Sequence, residues 1–117
     1  MVEAAAWAAG EHALSTDHIV NRLVSLATEA SNALVREAAV AALGAVGDPR
    51  GLDAIITAAT HDKPAVRRRA AVALAPFEDP RADDTLRTLL SDRDWQTRQI
   101  AEDLLDERPT SSDPHTR

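Results

Sequence analysis

Three arginines, Arg36, Arg67 and Arg98, stand 31 residues apart. A guanidinium is a planar fork of donors that pairs bidentately with carboxylate or phosphate. Forks at even spacing suggest one of two roles. Each can hold an aspartate of its own or a neighbouring repeat, with Asp48, Asp79, Asp62 and Asp94 as candidates, and so build a structural ladder. Alternatively, the column can offer its charge to a phosphate or an acidic peptide. The structural reading is the simpler one, because Asp48-Pro49-Arg50 returns in phase as Asp79-Pro80-Arg81. The expected ladder is Arg36, Arg67, Arg98, Asp48 and Asp79.

Other chemistry is sparse. Arg67, Arg68 and Arg69 form one basic run, but successive helical residues point about 100° apart, so they do not make one patch. Arg68 is expected to face outward into solvent. The histidines are His12, His18, His61 and His115, and none makes an i, i+4 pair. Cysteine is absent, which removes disulfides, thiolate nucleophiles and Cys-ligated zinc. No nucleophile–base motif and no glycine-rich phosphate loop is present. No catalytic residue, metal ligand or cofactor is expected.

The composition narrows the partner. With 13 Lys+Arg against 19 Asp+Glu the net charge is −6, which argues against coating a nucleic acid. No apolar run reaches the ~20 residues of a membrane span, and the N-terminus lacks a basic n-region. The expected location is the cytoplasm. Aromatic residues are 3% of the chain, so the core must be aliphatic and close-packed.

The elements that carry these residues are helices repeated every 31 positions. Ala39, Ala70 and Ala101 keep the phase, as do Leu43, Leu74 and Leu105. Asp48 and Asp79 suit N-caps, and the prolines after them suit the first helical position. Asn32, Lys63 and Asp94 are in phase before the second helix of each pair. Gly44 and Gly47 are expected to end the first of these second helices. About seven helices are expected, near 2–13, 17–29, 32–45, 49–60, 63–75, 80–91 and 94–107.

The motif VREAAVAALGAVGDPR at residues 35–50 resembles the HEAT-like repeats of the phycobilisome-lyase type. The match is good at 66–81, where Ala75 and Glu78 replace the glycines, and thinner in the third copy, where Arg98, Ala101 and Leu105 remain. The resemblance implies an all-α fold, a short right-handed α-α superhelix of helical hairpins. In each hairpin a first helix, A, is followed by a second, B, that lines the concave face. The expected organisation is a partial N-terminal repeat at 1–16, repeats at 17–47, 48–78 and 79–107, and a disordered tail at 108–117. Two enzyme resemblances fail on residues. HEAT-like deoxyhypusine hydroxylases carry His-Glu pairs where this chain has Arg36-Glu37, Arg67-Arg68 and Arg98-Gln99. HEAT-like DNA glycosylases are longer, more basic and richer in aromatics.

The function the resemblance implies is non-catalytic protein–protein binding through the concave B-helix face. The candidate surface is Glu37, Val40 and Ala41, then Arg68, Ala71 and Val72, then Gln99, with Trp7 as an anchor. The partner is another protein, or a second copy docking through the apolar N-terminal end. The alternatives are a subunit or fragment of a larger enzyme or lyase complex and, third, a nucleic-acid binder. Trp95 is expected to pack over the last A–B turn. Gln99, Glu102, Asp103 and Asp106 are expected to form a polar outer face on the last helix, as a terminal repeat requires.

Overall fold

The computed structural model describes the backbone of residues 2–108 and the side chains of residues 16–108. The tail at 109–117 and the Trp7 side chain lie outside the described residues. Six α-helices follow one another among the described residues: α1 (Val2–Glu29), α2 (Ala33–Val46), α3 (Leu52–His61), α4 (Pro64–Ala73), α5 (Pro80–Leu89) and α6 (Trp95–Glu107). A short 3-10 turn, Pro49–Gly51, leads into α3.

Caps set most boundaries. The Asp48 and Asp79 carboxylates accept from the backbone N–H groups of Arg50 and Arg81, and Pro49 and Pro80 follow them. Asn32 accepts from the Leu34 N–H at 2.8 Å. Asp94 accepts from both the backbone N–H and the hydroxyl of Thr97, each at 2.9 Å. That second bond explains how Thr97 occupies the buried position held by Val66 one repeat earlier. Its hydroxyl would otherwise be an orphan in the core. Gly47 ends α2 in the left-handed region at φ 71°, where a side chain would be strained. Gly44 does not end the helix as expected; it lies inside α2 and is buried.

The first pair of expected helices is one helix. Residues 2–29 run without a break through Gly10 and Asp17. The reason is local. Asp48 and Asp79 are each followed by proline, which pushes the preceding residue out of the helical region. Asp17 is followed by His18, so nothing opposes a continuous helix. A single helical glycine costs only about 1 kcal/mol.

The helices stack in two layers. α1, α3 and α5 are the A helices, with α1 against α3 and α3 against α5. α2, α4 and α6 are the B helices, with α2 against α4 and α4 against α6. Hairpin contacts join α1 to α2, α3 to α4 and α5 to α6. Leu43, Leu52, Ile55, Leu74, Leu86 and Leu89 are fully buried between the layers, and alanines at 39, 59, 70, 82 and 101 fill the gaps. Each large aliphatic contributes about 1.5–3 kcal/mol by leaving water. The small residues let the B helices approach closely. Gly44 marks the tightest point, since a Cβ there would lie 2.7 Å from the Cα and the Cβ of Ala73.

Candidate binding surface

The arginine ladder ties one repeat to the next. Arg36, near the start of α2, forks onto Asp62, with Nε and Nη2 each 2.9 Å from a carboxylate oxygen. Its Nη1 donates to the carbonyl of Ala30 at 2.8 Å, after the end of α1. Arg67 does the same one repeat on. Its Nε and Nη2 reach Asp92 at 2.8 and 2.9 Å, and Nη1 donates to the carbonyl of Asp62 at 2.8 Å. Both pairs are largely shielded from water. Each guanidinium thus satisfies a carbonyl left over at the end of an A helix and holds the carboxylate of the following A–B turn.

Asp48 and Asp79 belong to a second set of pairs and do not meet Arg36 or Arg67. Asp48 is held by Arg50, whose Nη1 also reaches Asp17 at 2.6 Å. Asp79 is held by Arg81, whose Nη1 reaches Asp53 at 2.7 Å. This second set lies at the loops that lead from a B helix to the next A helix. It is much more exposed than the first. Arg68 is half-buried rather than solvated, because its Nη1 donates to Asp94 at 3.1 Å and to Gln96 at 2.8 Å across the α4–α6 joint. Arg69 approaches Glu37 at 3.5 Å across the α2–α4 joint.

Charge pairing moves the carboxylates down. The side-chain and backbone hydrogen bonds from Arg50 hold Asp48 at about 2. The Arg36 fork lowers Asp62 against the opposing effect of burial. Burial pushes Asp92 up, but the Arg67 fork and the Asp94 N–H outweigh it, and the net shift is downward. A carboxyl depressed in the folded chain gives stability that is full above its unfolded value of about 4 and is lost as pH falls through the folded value. The melting midpoint should therefore hold from about pH 7 to 5 and drop between about pH 4 and 2. A melting series over that range checks it, and a fall already complete by pH 5 would refute it.

The residues of the expected strip are only partly exposed. Val40 and Ala71 are fully buried. They are expected to face away from their own hairpin in the open, whereas α2 packs on α4 and α4 on α6 and leaves them covered. Glu37 and Arg68 are half-buried in the same two joints. Ala41 is half-exposed and Val72 is 50% exposed. Gln99 is exposed and donates to Asp103 at 3.0 Å and to Glu102 at 3.4 Å. The open side of the B layer runs instead through Leu34, Ala38, Ala41 and Ala45 on α2 and through Arg69 and Val72 on α4. Leu34 is 72% exposed. Beside it, Leu23 and Leu26 of α1 and Val35 and Ala39 of α2 line an open apolar groove of 330 Å³. At the other end Trp95 is 64% exposed rather than packed over its turn. Glu102, Asp103 and Asp106 point to solvent, so α6 presents a charged outer side. Arg108, expected in the tail, is docked: Nη2 donates to the carbonyl of Leu74 at 2.9 Å, and Nε lies 2.7 Å from Asp83. The second contact is an ion pair without a well-directed hydrogen bond.

Among the described residues, no group of three His, Asp or Glu side chains is placed to hold a metal. No described helix is long and apolar enough to cross a membrane.

Two stacked layers of helical hairpins, tied repeat to repeat, define an all-α solenoid. The chain belongs to the HEAT repeat family, whose pattern matches residues 20–106. None of the curated proteins matches it. HEAT repeats generally mediate protein–protein interaction and are typically non-catalytic scaffolds.

Proposed function

We propose that this chain is a protein-binding module that takes an amphipathic helix of another protein along the open side of its B layer. One observation carries the reading: a strip of small and aliphatic side chains, Leu34, Ala38, Ala41 and Val72, stands in water beside the apolar groove of Leu23, Leu26 and Val35. Contiguous exposed apolar surface of this kind marks association sites. The occupant follows from continuity with the existing joints. Ala38 and Ala42 stand one period before Arg69 and Ala73, which face α2 across a helix–helix joint. Ala38 thus links the strip to the side of α2 that, by analogy with α4, receives a helix through small residues, and this supports a helix as the occupant. The resemblance of residues 35–50 to phycobilisome-lyase repeats adds nothing to the choice of partner, since no chromophore-binding group accompanies it.

The test is capture with the wild-type chain beside Leu34→Glu and Val72→Glu. Both residues are exposed, so each variant should keep its stability to within about 0.5 kcal/mol. Partner affinity should fall about tenfold or more where an aliphatic contact becomes a buried charge. Unchanged capture by both variants would refute the strip as the site. Light scattering of the same three proteins decides the remaining occupant: a wild-type dimer lost on Leu34→Glu would make the partner a second copy.

A further inference from the structure

The ladder is complete at two joints and open at a third position. Arg36 and Arg67 each spend Nη1 on a carbonyl and the Nε/Nη2 edge on a carboxylate. Arg98 uses Nη1 in the same way, donating to the carbonyls of Asp92 at 2.8 Å and Arg93 at 3.3 Å. Its Nε/Nη2 edge meets no acceptor among the described residues. The Nη1 anchor is the one used in the ladder, and it leaves open the edge with which the two earlier arginines each hold an aspartate. Trp95 and Leu90, both exposed, stand beside it.

We propose that Arg98 and the outer side of α6 form a second, independent interaction surface, for a helical segment of another protein that opens with an acidic residue and carries basic residues further along. The spacing can be read from the joint between α2 and α4. There Asp62 meets Arg36, the residue seven positions later, Arg69, meets Glu37, and the residue eleven positions later, Ala73, meets Gly44. Two periods on, the places of Arg36, Glu37 and Gly44 are taken by Arg98, Gln99 and Asp106. A fitting segment therefore has Asp or Glu at its start, a donor seven residues on and Lys or Arg eleven residues on. Glu102 and Asp103 reinforce the demand for positive charge along that helix. The last turn of α6 holds no basic residue, and Arg108 at its cap is turned to Asp83 and the Leu74 carbonyl.

Charge complementarity excludes two other occupants. A second copy stacked head to tail would bring Ser31 to Arg98, Ala38 to Gln99 and Ala42 to Asp106, and so neither the acid nor the base. A nucleic acid would set its phosphates against Glu102, Asp103 and Asp106.

The experiment titrates a synthetic alanine-rich helical peptide into the full-length chain labelled with 15N. The peptide carries Asp at its helix start and Lys seven and eleven residues later. The Arg98 Nε–Hε resonance should shift and saturate. Asp→Asn in the peptide or Arg98→Gln in the protein should each weaken binding about two- to fivefold, the range for an exposed ion pair. The two losses should not add in a double-mutant cycle. Arg98→Lys, which keeps the charge but not the fork, should fall between. Leu34→Glu should leave this titration unchanged, so the two surfaces stand or fall separately. An unmoved Arg98 resonance, equal binding of the Asn peptide, or equal displacement of the resonance by inorganic phosphate at the same concentration would each overturn the proposal.

Discussion

Arg67→Ala should lower the stability of the whole array by about 3 kcal/mol, or roughly 10–20 °C in melting midpoint for a domain of this size. The residue closes the joint between the second and third repeats. Removing it strips Asp92 of both fork hydrogen bonds and leaves a carboxylate whose side chain is only 9% exposed. It also orphans the Asp62 carbonyl. The Asp94 N–H still donates to Asp92 at 2.8 Å, which keeps the loss below that of a fully isolated charge. Arg98→Ala is the matched comparison, because it removes the same side chain where no carboxylate among the described residues meets the fork. Its cost should stay under about 1 kcal/mol. Equal melting shifts for the two variants would show that the fork contributes nothing beyond its carbonyl cap.

The second large effect is steric. Gly44→Ala places a Cβ 2.7 Å from both the Cα and the Cβ of Ala73, where the two B helices touch. Alanine gains about 1 kcal/mol of helix propensity over glycine, but overpacking a rigid contact costs about 1–3 kcal/mol. Part of the clash is with backbone, which does not rotate away, so the cost should win. Gly44→Leu should lose more than about 3 kcal/mol, since α4 must then move away bodily. Ala73→Gly in the Gly44→Ala background removes one of the two clashing atoms and leaves the Cα. It should restore part of the loss and not all of it. Denaturant melts of the three variants check the order, and a Gly44→Ala protein more stable than wild type would refute the close contact.

Much of the fold was legible because its signals are local. Asp-Pro at 48–49 and 79–80 states where an A helix begins, and the phased Ala and Leu positions state which side is inside. The fusion of residues 2–29 was not legible from phase alone. Asp17 keeps the period of Asp48 and Asp79, yet lacks the proline that breaks the chain. The surface was harder, because a helical wheel knows only one hairpin. Val40 and Ala71 are expected to face away from their own hairpin in the open, whereas the stacking of α2 on α4 and α4 on α6 leaves them covered. Asp62 was among the candidate ladder partners, but Asp92 was not. It precedes its B-helix arginine by six residues where Asp62 precedes its own by five, so an acid one step out of phase still reaches the same fork. The Arg50 and Arg81 pairs had a visible signal in the repeated Asp-Pro-Arg, though their second partners, Asp17 and Asp53, have no common phase.

The two sets of ion pairs give the array unequal stiffness along its two edges. On the edge where each A helix turns into its B helix, adjacent repeats are clasped by the sheltered forks of Arg36 and Arg67. On the opposite edge, Arg50 to Asp17 and Arg81 to Asp53 are single, water-exposed contacts that yield readily, and the sheltered tie there is Arg108 on the Leu74 carbonyl and beside Asp83, at the last repeat. A bending load therefore meets a short, inextensible strap on one side and a loose seam on the other. Such a load should open the seam between the first two repeats before it parts the forks. The bend is restrained most where Arg108 backs the Arg67 fork from the far edge, and least between the first two repeats.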